Sequence, residues 1–120
     1  YEWQTTPTGK SPLLFTDPND APLALAAIWS KWRSPQGAEV YTTSILTTQA
    51  SPDLASIHHR MPVILDDAQL NQWLDPELNS KAQLHTILRP ASESRLHIRP
   101  VSRHVNKVGN TGMECWKPAE

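Results

Sequence analysis

The sequence predicts an α+β fold with a mainly antiparallel sheet. Two observations point there. Short β-prone runs are closed by turn-forming residues, and two or three short amphipathic segments lie between them without the regular strand-helix alternation of a parallel sheet.

Taken in order, Leu13-Leu14-Phe15-Thr16 is β-prone and is closed by Asp17-Pro18-Asn19-Asp20, whose carboxylate and amide side chains mimic turn hydrogen bonds and whose proline fixes φ. A hairpin is expected, with Leu23 to Trp29 as its second arm, although the alanine-rich composition of that arm leaves a helix open. Ser34-Pro35-Gln36-Gly37 reads as a loop. The run from Tyr41 to Thr48 is rich in β-branched residues, has no Gly or Pro, and fits a strand buried on at least one face. Ser51-Pro52-Asp53 combines an N-cap with proline at the first helical position, opening a short turn through Leu54-Ala55-Ser56-Ile57, and His58-His59-Arg60 fall where that turn ends. Pro62-Val63-Ile64-Leu65 resumes a strand. Asp66-Asp67 cap the segment Ala68 to Leu74, where Leu70, Trp73 and Leu74 share a helical face. A second helix over Ser80 to Leu88 places Leu84, Ile87 and Leu88 together. In the last strand Leu96 and Ile98 alternate with Arg95, His97 and Arg99 and run into Pro100-Val101.

The 120 residues suit one domain, and 38% hydrophobic content with five tryptophans argues against a disordered chain. Apolar runs such as Pro22 to Trp29 fall far short of the roughly 20 residues that a membrane-spanning helix needs. Cys115 is the only cysteine, which excludes an internal disulfide and a cysteine-rich metal site and fits a reducing, cytoplasmic setting. Tyr1-Glu2-Trp3-Gln4 carries neither an initiator methionine nor a secretory signal, so the chain is expected to begin inside a longer protein. Charge is uneven: residues 1–80 carry four bases against nine acids, and residues 81–120 carry seven against three. The basic stretch from Arg89 to Lys107 could meet phosphates, but its residues are spaced rather than clustered, which favours a solvated surface strand.

There is no glycine-rich phosphate loop, no His-Glu-x-x-His and no Gly-x-Ser-x-Gly. His58 and His59 are adjacent, and adjacent side chains on regular structure diverge, so neither a metal site nor any cofactor is expected. Cys115 reads as a packed thiol. The segment from Ser56 to Leu65 is the most informative, because His58 and Arg60 lie two residues apart beside an apolar strand. Imidazole exchanges a proton near neutral pH, and a guanidinium forks to phosphate. Trp3 and Trp29 are expected in the core.

Tyr1-Glu2-Trp3, Ile45-Leu46-Thr47-Thr48, Ile57-His58-His59-Arg60-Met61-Pro62-Val63-Ile64-Leu65, Pro100-Val101-Ser102 and Val105-Asn106, in this order and spacing, resemble the SRAP family, named for SOS response-associated peptidases. The resemblance runs from Tyr1 to about Pro118, and its specific part is His-x-Arg-Met-Pro. It implies a bifurcated, barrel-like β-sheet with short surrounding helices. It also implies a DNA-damage-response protein that recognises abasic sites in single-stranded DNA and forms a thiazolidine crosslink through an N-terminal cysteine exposed by self-processing. Matched residue by residue, Glu2 takes the place of the acid that orients and deprotonates the cysteine's amine. His58 takes the place of the histidine that protonates the sugar oxygen during ring opening. Arg60 matches an arginine facing the DNA backbone, and Thr47 matches a hydroxyl near the phosphate. Glu2 and His58 would then converge on one cleft.

Family members begin Met-Cys-Gly-Arg and carry lesion-binding residues in an N-terminal half, and none of these occurs here. Neither Tyr1 nor Cys115 replaces the nucleophile. Residues 1–120 are therefore expected to be a single domain forming the C-terminal part of a longer SRAP domain, bacterial or phage-derived, which does not crosslink DNA alone. Peptidase or crosslinking activity belongs to the full-length protein in this reading. A non-catalytic single-stranded DNA-binding module, or a purely structural domain, are the competing readings.

Overall fold

A computed structural model describes residues 1–90, 93 and 95–119. The chain divides into two compact units, one of Tyr1–Pro22, Ala50–His59 and Ser92–Glu120, the other of Leu23–Gln49 and Arg60–Ala91.

In the first unit, β1 (Glu2–Thr6) and β2 (Gly9–Thr16) form a hairpin closed by Pro7-Thr8, with Thr6 opposite Gly9. Gly9 adopts φ +117°, a conformation that costs glycine little, and the Thr6 hydroxyl donates to the Gly9 carbonyl at 2.6 Å. The strand His97–Pro100 pairs along the other edge of β2, giving three antiparallel strands in the order β1, β2, last strand. Pro12, Leu13 and Leu14 of β2 are buried, as is Val101 just after the last strand. Two 3-10 turns, Arg103–Asn106 and Met113–Trp116, follow. The expected hairpin between Leu13–Thr16 and Leu23–Trp29 does not form. The Asp17 turn does exist, its carboxylate accepting from Asn19 N–H at 2.7 Å. Leu13–Thr16 pairs instead with His97–Pro100, and the expected second arm pairs with Ile64–Leu65 and Glu39–Ile45.

The second unit is built on a branch point. Three strand segments each change partner midway. β3 (Ala24–Leu25) pairs with β8 (Ile64–Leu65), β4 (Ala27–Arg33) with β5 (Glu39–Ile45), and β6 (Thr47–Gln49) with β7 (Arg60–Pro62), all antiparallel. At the switch residues, Ala26 N–H donates to Val63 O, Val63 N–H to Leu46 O, and Leu46 N–H to Ala26 O, at 2.9 to 3.0 Å. Each N–H that leaves one ladder is thus satisfied by the next. Ala26, 0% exposed, and Val63 lie at the centre, and Leu65 and Ile87 complete the buried core. The sheet is bifurcated, as expected, but among the described residues it is not closed into a barrel: one three-stranded and three two-stranded sets remain separate. The single strands expected over 41–48 and 62–65 are each interrupted, at Leu46 and Val63, for the same reason.

Helix α1 (Asp67–Trp73) begins with a capping box, Asp66 accepting from Gln69 N–H at 2.8 Å while the Gln69 amide accepts from Asp66 N–H. Leu70 and Trp73 pack on the core, but Leu74 points to solvent. Helix α2 (Lys81–Ile87), capped by Ser80, buries Ile87.

The ribbon β4–β5 departs most from expectation, because every residue of β5 is exposed where a strand buried on one face was expected. Among the described residues no layer of the unit covers it. At its tip Glu39 accepts from Lys31 at 2.8 Å and Arg33 at 2.7 Å. The Lys31 ammonium, then Arg33, hold the Glu39 carboxyl below its ordinary value. A depressed folded value means stabilisation present above the unfolded value near pH 4.3 and lost as pH falls through the folded one. Protection of amides 39–41, taken relative to the intrinsic exchange rate at each pH, is expected to fall as pH drops through that window, and Glu39→Gln should erase the pH step.

Candidate DNA-facing site

In the first unit, the turn after Ser51 is closed by Leu54 N–H donating to Ser51 O at 2.9 Å, with Leu54 buried as its apolar anchor. His58 N–H donates to Leu54 O at 3.1 Å, and His59 O accepts from Ala50 N–H at 3.1 Å. Both backbones are pinned and both side chains are exposed, with the imidazoles stacked at 4.6 Å between centroids and 27° between planes. Glu2 is half-buried on β1 opposite Leu13 and has no hydrogen-bond or ion-pair partner among the described residues. Glu2 and His58 belong to this one unit, on separate elements, and no hydrogen bond joins them.

In the second unit, the β6–β7 arm presents the other two residues. Thr47 lies opposite Pro62 and Gln49 opposite Arg60, so strand alternation puts Thr47, Gln49 and Arg60 on one exposed face and buries Met61 on the other. Thr47 and Arg60 are diagonal neighbours there. Arg60 Nη2 donates to Thr47 O at 2.6 Å and to Thr47 Oγ1 at 2.9 Å, and Nε donates to the same hydroxyl at 3.3 Å. The guanidinium is held to one orientation, and the Thr47 hydroxyl, already accepting, has its own proton to donate. A planar cation beside a hydroxyl donor suits an anionic oxygen ligand.

Gln49 joins this face although the sequence reading did not single it out. Its two-residue spacing from Thr47 was the available signal. The expectation of Trp3 and Trp29 in the core is corrected. Trp29 is 70% exposed, because β4 has no covering layer, and Trp3 sits on the outward face of β1 with its indole N–H donating to Asn106 Oδ1 at 2.7 Å. Of the basic stretch 89–107, residues 91, 92 and 94 lie outside the described residues. Within it, Arg99 Nη1 donates to the Trp116 carbonyl at 2.7 Å and so serves packing.

The family model of the SOS response associated peptidase (SRAP) matches residues 1–108. The chain belongs to the SRAP family. It is 36% identical over 140 aligned positions to the abasic site processing protein HMCES of Gallus gallus, covering all of this chain and 41% of that protein. With the abasic site processing protein YoqW of Bacillus subtilis it shares 33% identity over 115 positions, covering 95% of this chain and 51% of the relative. A crystal structure of a protein from Bacteroides thetaiotaomicron superimposes with a TM-score of 0.83 at 26% identity, over 97% of this chain and 52% of that one. Another, from Bordetella bronchiseptica, gives 0.71 at 28% identity, over 85% and 50%. This SRAP chain spans about half the length of the relatives it matches. No helix among its described residues is long and apolar enough to cross a membrane.

Proposed function

We propose that this chain is the C-terminal part of a SRAP domain that recognises abasic sites in single-stranded DNA. The observation that carries the reading is the Arg60–Thr47 pair, a guanidinium fixed on an exposed strand face beside a hydroxyl that can still donate. The names of the relatives, both abasic site processing proteins, agree with it. Arg60 and Thr47 hold a phosphate of the strand, a contact that fixes the strand's position without reading its bases.

The chemistry falls to Glu2 and His58 together with a nucleophilic N-terminal cysteine outside these 120 residues. Glu2, without a competing partner, takes a proton from the cysteine's α-amine. His58 protonates the sugar ring oxygen as the ring opens to the aldehyde. The amine then condenses with the aldehyde, losing water, and the thiol adds to the resulting imine to close a thiazolidine. No metal or organic cofactor enters this reaction. The same carboxylate assists the self-cleavage that frees the cysteine's amine.

A denaturing gel of the complete protein with single-stranded DNA holding one abasic site tests the reading. A covalent shift is expected with the complete protein and not with residues 1–120 alone. Salt-sensitive DNA binding with no adduct would replace it by the non-catalytic binding module.

Arg60→Ala should weaken binding of abasic single-stranded DNA by about 1.5–3 kcal/mol, the range of a charged hydrogen-bonded contact. Arg60→Lys should restore only part of that, because an ammonium cannot keep the fork on Thr47. Titration at two salt concentrations checks both, and an unchanged affinity for Arg60→Ala would remove this face from the DNA path.

A further inference from the structure

Stacking a base on a side chain needs an exposed ring that lies along the path of the nucleic-acid backbone. Trp29 meets both conditions, because one strand face runs from the Arg60–Thr47 pair to its ring. Along residues 39–49, Glu39, Tyr41, Thr43, Ile45, Thr47 and Gln49 alternate with the residues of the other face, and all six are exposed. The alternation survives the change of partner. Leu46 N–H donates to Ala26 O in the register of β4–β5, and Leu46 O accepts from Val63 N–H in the register of β6–β7, so no residue is inserted or skipped between Ile45 and Thr47. Leu46 itself packs on the core, which turns Ile45 and Thr47 outward together.

The β4 partner places Trp29 opposite Thr43 and Lys31 opposite Tyr41 on this same face. Trp29 is 70% exposed, its ring centroid 6.1 Å from that of Tyr41 and its plane tilted by 31°. Lys31 Nζ lies 5.5 Å from the Tyr41 centroid, so a cation already takes a face of Tyr41, and Trp29 is the more exposed ring of the two. Lys31 and Arg33 share the one carboxylate of Glu39, which leaves the face with a net positive charge beside the rings. The opposite face of the ribbon, where Ile28 lies against Ser44 and Trp32 against Val40, carries no charge to meet phosphates.

We infer that Trp29 is a stacking platform for one base of single-stranded DNA, reached along this strand from the phosphate that Arg60 and Thr47 hold. The inference rests on the reading of that pair as a phosphate contact. Thr43, level with Trp29, is separated from Thr47 by about 13 Å of strand. A duplex strand advances about 3.4 Å per nucleotide and a stretched single strand roughly twice that, which puts the stacked base about two or three nucleotides from the held phosphate. Every base has a π-face, so the platform adds affinity without reading sequence.

The test uses the complete protein and single-stranded DNA holding one abasic site, in which one further base at a time, on either side of the lesion, is replaced by a tetrahydrofuran spacer. One position is expected at which the spacer weakens binding by about 5- to 150-fold, the worth of a base on an aromatic ring. Trp29→Leu, which keeps an apolar side chain and removes the indole, should weaken binding of the parent DNA by the same factor and lose the response to the spacer at that position. Trp29→Phe should recover part of the loss. Iododeoxyuridine at the same position, irradiated with the unaltered protein, should crosslink to the peptide that contains Trp29. A Trp29→Leu protein that binds every DNA as the parent does overturns the inference. So does a spacer response that is the same in parent and variant at all positions, or a photocrosslink map without Trp29. Arg60→Ala and the denaturing gel separate the two claims. Weaker binding by Arg60→Ala with none by Trp29→Leu sinks the platform alone, and coupling between Trp29 and one base without an adduct sinks the abasic-site chemistry alone.

Discussion

Alanine at His58 is expected to slow formation of the abasic-DNA adduct by roughly 10²–10⁴-fold, the usual worth of a positioned general acid. That equals about 3–5 kcal/mol of barrier. The expectation holds for a protein that joins this chain to the cysteine-bearing half. His58 sits where a turn ends, with its N–H on Leu54 O and its exposed imidazole stacked on His59. Thermal melting of the variant separates a lost proton donor from a lost fold. His59, stacked on it, gives the control: His59→Ala removes a ring face but no proposed proton donor. Time courses at saturating DNA separate a lost rate from a lost affinity, and Arg60→Ala should act on the second. A His58→Ala protein that crosslinks at the parent rate would remove His58 from the chemistry.

Ile87→Ala should be the most damaging single truncation in the second unit, at about 2–5 kcal/mol. Ile87 is 2% exposed and closes the core made by Ala26, Val63 and Leu65. The upper part of the range is expected because Ala26 and Val63 are held by the three branch-point hydrogen bonds and cannot move into the cavity. Against a typical total of roughly 5–15 kcal/mol, such a loss populates the unfolded state measurably. Urea titration should show a lower midpoint with an unchanged slope. Leu74→Ala, at a side chain 69% exposed, should stay within about 0.5 kcal/mol.

Both helices were legible because Asp66 and Ser80 are strong N-caps followed by helical spacing, which are local signals. The last strand was legible from its alternation. The partner changes at Ala26, Leu46 and Val63 were not, since alternation tells which face a side chain takes and not which neighbour its strand adopts. The hairpin error has the same root, because Asp17 announces a turn but says nothing of who already occupies β2. For the site, His58 and Arg60 stood out through residue type and motif, whereas their separation onto two units could not be read from two positions so close in sequence. The exposure of Trp29 was misread because a large apolar residue on a strand ordinarily signals burial.

The first unit is stitched from the two ends of the chain. The Tyr1 hydroxyl donates to Cys115 O and the Trp3 indole to Asn106, across 114 and 103 residues, and Val101 bridges Pro118. During synthesis β1 and β2 emerge about eighty residues before the strand His97–Pro100 that pairs with β2. The second unit, with all its partners between residues 23 and 91, can assemble in the meantime. Until residue 97 is made, the Leu13–Thr16 edge lacks its partner strand, so the nascent hairpin carries an open edge that the folded unit does not.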